Sequence, residues 1–188
     1  MVDGLKSSFH RPGLKIGTSS VDYLKYGSGA SRGDNFMTKS KAAAPLARYA
    51  AWKRKGDFVF LSGIIAVDPV AGKIVRGFDD IPERAQQAIG RTGEYSVDMI
   101  QGPILAQSWT VFHKIRATME DAGGSMADVF KLVQYFKDLR DYPLYSQVRR
   151  QFFPDDAPVS TVVEVTGMLP TPDILVEVEA TAYLPLKS

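Results

Sequence analysis

The sequence predicts an α+β domain, with a mostly antiparallel sheet carrying two helices on one face. Three observations predict it: a strand-like apolar run at Phe58–Ile65, a helical apolar stripe from Leu105 to Met119, and strict alternation along Ile174–Tyr183. Two helices set among six or so strands form a layered α+β arrangement, because each helix must bury its stripe against the sheet.

Order begins near Pro45. Ala50–Lys55 is short and mixed, a first strand turned at Gly56-Asp57. Phe58-Val-Phe-Leu-Ser-Gly-Ile-Ile65 is apolar, β-branched and aromatic throughout, which predicts a strand buried on both faces. Asp68-Pro-Val-Ala-Gly72 supplies turn chemistry, and Lys73-Ile-Val75 returns as a strand. Ile81–Ile89 reads as a short helix, with Pro82 in the first turn where its missing N–H costs nothing. In the clearest helix Leu105, Trp109, Phe112, Ile115 or Arg116, and Met119 share one stripe, and Gly123-Gly124 stops it. Isolated beside that stripe, His113 reads as structural.

Val129–Phe136 is another strand. Asp141 is positioned to cap a second helix whose Tyr145, Val148 and Phe152 share a face, ending before Pro154. Thr161–Thr166 and Ile174–Tyr183 are the last strands. In the latter Ile174, Val176, Val178, Ala180 and Ala182 point one way; Leu175, Glu177, Glu179, Thr181 and Tyr183 point the other. The mixed second face of the sheet is expected to be covered in part by other subunits.

Composition narrows the function classes. A chain of 188 residues, 45% hydrophobic and 23% charged, can bury a core without staples, so one domain with appendages is expected. There is no cysteine, which excludes disulfides, thiolate metal sites and cysteine nucleophiles. His10 and His113 are far apart and lack ligand spacing, so no metal or other cofactor is expected. Neither a signal-peptide core nor a run of about 18 apolar residues is visible, so a soluble, cytoplasmic protein without membrane contact is expected.

Net charge is +2 but uneven. Through Asp57 there are eleven Lys/Arg against four Asp/Glu; the remainder holds twelve against seventeen. Residues 1–44 read as an irregular basic extension ahead of a domain at 45–188. Gly27-Ser-Gly-Ala-Ser-Arg-Gly33 has no strand before it and no Lys-Ser/Thr after it, so it reads as a turn rather than a phosphate loop. Arg32-Gly33-Asp34 is a chance tripeptide. Only the basic arm points to nucleic acid, and without interleaved aromatic platforms nucleic acid is not an expected partner.

Several segments in a fixed order carry a family resemblance: Tyr49, Phe58-Val-Phe-Leu-Ser-Gly63, Asp68–Gly72, Gln107, Ala122-Gly-Gly-Ser-Met-Ala-Asp-Val129, Tyr135–Tyr142, Phe152-Phe153, Ala157-Pro-Val-Ser-Thr-Val-Val-Glu-Val165 and Val176-Glu-Val-Glu-Ala180. In this order the chain resembles the RidA/YjgF/UK114 family, also called the endoribonuclease L-PSP family. The resemblance implies a chorismate-mutase-like fold assembled as a homotrimer, with a small-molecule cleft between subunits. It also implies hydrolytic deamination of reactive enamines or imines, such as the 2-aminoacrylate released by pyridoxal-phosphate enzymes. Against the family pattern, residues 84–104 form an apparent insertion, and Leu169-Pro-Thr-Pro172 is similar to a stretch of 2-aminomuconate deaminases.

By resemblance, Tyr49 matches a cleft aromatic, Ser62-Gly63 the strand-end pair, and Glu177 the catalytic glutamate. Ser146 stands where the second helix often has asparagine. The family's Pro-Ala-Arg-Ser/Thr string is here Pro158-Val-Ser-Thr161, so Ser160 occupies the place of the arginine that forks onto a substrate carboxylate. Serine offers neither charge nor fork. Two functions follow as alternatives: a deaminase in which another cation (Arg48, Lys53, Arg54, Lys131 or Arg149) replaces the arginine, or a non-catalytic small-molecule binding or regulatory protein.

Overall fold

The computed structural model describes residues 47–68 and 71–186; the basic extension at 1–44, including His10 and Gly27–Gly33, lies outside the described residues. Strands β1 (Trp52–Lys55) and β2 (Phe58–Leu61) form a hairpin turned at Gly56, whose φ of +57° suits a residue without Cβ. The short β3 (Ile64–Ile65) follows, and β4 (Val67–Asp68) pairs with β5 (Lys73–Ile74) in a separate two-stranded sheet. Helix α1 (Glu83–Ala88) starts directly after Pro82, and α2 spans Tyr95–Asp121. Then come β6 (Val129–Phe136), α3 (Tyr142–Phe152), β7 (Val159–Glu164) and β8 (Val176–Tyr183).

The main sheet runs β1-β2-β8-β6-β7, with β3 also on β8. All pairs are antiparallel except β6–β7, which α3 connects as a parallel crossover. The expected α+β architecture, two main helices against a mostly antiparallel sheet, is what the structure has. The alternation predicted for β8 is complete: Val176, Val178, Ala180 and Ala182 are buried, and Glu177, Glu179, Thr181 and Tyr183 face the other way. Against the buried face, Phe112 of α2 lies 5.3 Å from both Tyr145 and Phe152 of α3, and Tyr145 meets Phe136 of β6 edge-on at 5.0 Å.

Four expectations need correction. The Phe58–Ile65 run is not one doubly buried strand. It breaks at Ser62-Gly63, and in β2 only Val59 and Leu61 are buried; Phe58 and Phe60 stand 42% and 48% exposed on the open sheet face. There they join Phe130 and Tyr183, at 6.0 and 5.5 Å from Phe58, in an aromatic patch.

The long helix begins at Tyr95 rather than near Leu105, running through Gly102-Pro103. Tertiary packing overrides these breakers: a Cβ on residue 102 would come within 2.9 Å of the Phe78 ring, so glycine permits that contact. Asp141 sits at the start of α3 without a capping bond; the side chain that caps locally is Asp138, which accepts from the Arg140 N–H at 2.9 Å. The last two strand boundaries also shift, to Val159–Glu164 and Val176–Tyr183. Among the described residues no helix is long and apolar enough to cross a membrane, and no group of three or more His, Cys, Asp or Glu could hold a metal ion.

Candidate functional site

At one end of the open sheet face lies a cleft of about 730 Å³. The break between β2 and β3 places Ser62 and Gly63 on its floor, opposite Glu177 and Glu179 of β8. Tyr49 walls one side, and Tyr135 rises from β6, where it is the register partner of Glu177. The far wall, from Val165 to Pro170, is largely apolar.

Glu177 is half-buried, and its Oε1 lies where a side chain on residue 63 would begin: a Cβ there would be 1.9 Å away. Gly63 is therefore what seats this carboxylate. Burial raises the Glu177 pKa, and the negative Glu179 raises it further. Tyr135 Oη donates to Glu179 Oε1 at 3.1 Å; burial and that acceptor push the phenol up. The Ser62 hydroxyl donates to the Ala50 carbonyl at 2.7 Å, which leaves its lone pairs for a ligand donor. Behind the floor, Lys114 of α2 donates to the Ile65 carbonyl at 3.1 Å. Burial lowers its pKa to about 8, against the opposing pull of Asp68. The cleft thus presents two carboxylates, and no cation is among its lining residues.

Ser160 lies elsewhere, three register positions along β6 from the Tyr135 level and on the helix side of the sheet. Its Oγ accepts from Gln134 Nε2 at 2.9 Å and from Arg149 Nη1 at 3.2 Å. Gln134, fully buried on β6, also donates to the Thr161 carbonyl at 3.0 Å. Its Oε1 accepts from Tyr145 Oη at 3.0 Å and Arg149 Nη1 at 3.3 Å. An arginine can only donate and a carbonyl can only accept, so these partners fix the amide's orientation.

Within one chain, then, the structure brings Tyr49, Ser62, Gly63 and Glu177 together and holds Ser160 apart. Ser146 lies on α3 three residues before Arg149, on the same helical face. Of the candidate replacement cations it is Arg149 that reaches Ser160, whereas Arg54 is committed to the Leu184 and Ala122 carbonyls. Sequence reasoning missed Tyr135, Glu179 and Gln134. Only Gln134 left a signal, as a polar residue between Leu132 and Phe136 on the apolar side of a strand. His113, which stacks on Trp109 at 4.9 Å on α2, is not among the cleft residues.

A two-layer α+β domain of chorismate-mutase-like fold, open on one sheet face and bearing an acidic cleft, is the class these observations define. Residues 89–184 match the family profile described as Endoribonuclease L-PSP. A RutC family protein of Pyrococcus abyssi is 34% identical over 76% of this chain and 91% of its own. The 3-aminoacrylate deaminase RutC of Acinetobacter baylyi is 27% identical over 74% and 90%. A solved structure from Klebsiella pneumoniae, labelled only provisionally as an endoribonuclease, is 60% identical over 73% of this chain and all of its own, with a TM-score of 0.72. The chain belongs to the RidA/YjgF/L-PSP family.

Proposed function

We propose that this protein is a homotrimeric hydrolase that deaminates a small enamine or imine in a cleft between subunits. The observation that carries the proposal is Glu177, a carboxylate of raised pKa seated against Gly63. A carboxylate held in this way can take a proton from water and hand it on to a bound molecule. Relatives named as deaminases support the reaction class. Two features support assembly: the exposed aromatic patch on the open sheet face, and the edge strand β7, whose exposed Val159 and Val163 need covering.

In the reaction protonation of the enamine at carbon gives the iminium. Water then adds to the C=N carbon while Glu177 takes one of its protons, forming the carbinolamine. Glu177 returns that proton to nitrogen; as the C–N bond breaks and ammonia leaves, the carbinol hydroxyl gives its remaining proton to Glu177 and becomes the carbonyl of the product, and Glu177 releases that proton to water. Tyr49 and the apolar wall restrict the bound molecule, and Ser62 accepts from its N–H groups.

The test is ammonia release from freshly generated 2-aminoacrylate or 2-aminomuconate. Wild type should accelerate release over buffer, and Glu177→Gln should lower the rate about 10²- to 10⁴-fold. No acceleration by wild type overturns the enzyme reading, and a monomer by light scattering overturns the shared cleft. The cleft's lack of a cation favours a second reading, non-catalytic ligand binding. Ligand-induced thermal shifts that vanish in Ser160→Trp, with no ammonia released, would establish it.

A further inference from the structure

We propose that Arg149 is this protein's carboxylate-binding arginine, presented from α3 beside Ser160, so that the ligand of the site is a small carboxylate. The proposal rests on the inter-subunit cleft above, because in one chain Arg149 and Glu177 serve opposite faces of the sheet.

The geometry supports a built anion seat. Both hydrogen bonds of the Arg149 guanidinium leave from Nη1, and no carboxylate pairs with it among the described residues. The N–H groups on Nη2 and Nε remain, and that edge is one that can fork onto a carboxylate. Ser160 Oγ accepts twice, so both lone pairs are used and its own O–H stays available as a further donor.

Gln134 holds the pair in place. It is fully buried, and Tyr145 Oη, itself on a fully buried side chain, shares its Oε1 with Arg149. A satisfied buried network of this kind is rigid, and it fixes where the guanidinium sits. A side chain longer than serine at 160 would compete with Arg149 for this position. The charges are also complementary: the cleft offers two carboxylates to the nitrogen end of a ligand and no cation to its acid end, whereas the Arg149 seat offers the reverse.

The experiment measures, on the full-length oligomer, calorimetric affinity for 2-oxobutanoate and for its neutral primary amide. Wild type should prefer the carboxylate by about 30-fold or more, the usual effect of one buried charged pair. Arg149→Gln should abolish the preference, and Arg149→Gln with Ser160→Arg should restore it from the strand. A purely structural role for Arg149 would change both affinities together and leave their ratio intact. Persistence of the preference in Arg149→Gln, or its absence in wild type, overturns the seat. Ammonia release from 2-aminoacrylate, run in parallel, separates the two proposals. An Arg149-dependent preference without catalysis would sink the deaminase reading alone, and catalysis with an unchanged preference would sink the seat alone.

Discussion

The cleft around Glu177 and the network around Ser160 solve opposite electrostatic problems on one sheet. The first gathers two carboxylates and two phenols with no cation among them, and burial raises the Glu177 pKa. The second gathers a guanidinium, a serine and a buried amide with no carboxylate among them. Strand β6 contributes to both: Tyr135 to the cleft and Gln134, its neighbour, to the network. Because successive strand residues point to opposite faces, one strand can hold two chemistries only a residue apart without either neutralising the other.

The sharpest way to break this comparison is Gly63→Ala. The new Cβ would fall 1.9 Å from Glu177 Oε1, and the carboxylate, being the flexible partner, must swing away. Deaminase turnover should drop on the order of 10²-fold through misplacement alone, with carboxylate preference and Tm nearly unchanged. Retained turnover would show that the seat of Glu177 is immaterial.

Gln134→Leu attacks the other region. It strands the buried Tyr145 hydroxyl and the Thr161 carbonyl and releases Arg149. Chemical denaturation should reveal a loss of about 1–3 kcal/mol. Calorimetry should show the carboxylate preference falling while the pH dependence of turnover stays put.

The smallest expected effect is that of Glu179→Gln. As a general base Glu177 must be ionised, so turnover should rise with pH through a limb lying above the usual glutamate value of about 4.5. Removing the neighbouring negative charge favours ionisation, so this limb moves to lower pH, as a pH–rate profile would record. The same raised pKa bears on stability. Glu177's contribution is fully present below the unfolded-state pKa and is lost as pH rises through the folded-state value.

Much of the fold was legible. The alternation of β8, the stripe of α2 and the stop at Gly123, whose φ is +85°, were all readable because each is a local pattern. Breakers misled the reading of α2: the helix runs through Gly102-Pro103, and the missing Cβ at 102 is what admits the Phe78 ring. Of the candidate site, Tyr49, Ser62, Gly63 and Glu177 were readable by resemblance, and the structure brings them together. Tyr135 and Glu179 were not, since an aromatic and an acid on strands look like ordinary surface residues until the strands are in register.

Ser160 shows where the division falls. Sequence alone determined that the expected arginine is absent and that several cations could replace it. Periodicity says which face of an element is apolar, but not what stands opposite a given residue. Only the tertiary structure decided that Arg149, eleven residues earlier and on a different element, places its guanidinium on the Ser160 hydroxyl. The physical reason is that α3 returns across the sheet before β7 pairs with β6, and a buried glutamine lies between them to hold both side chains.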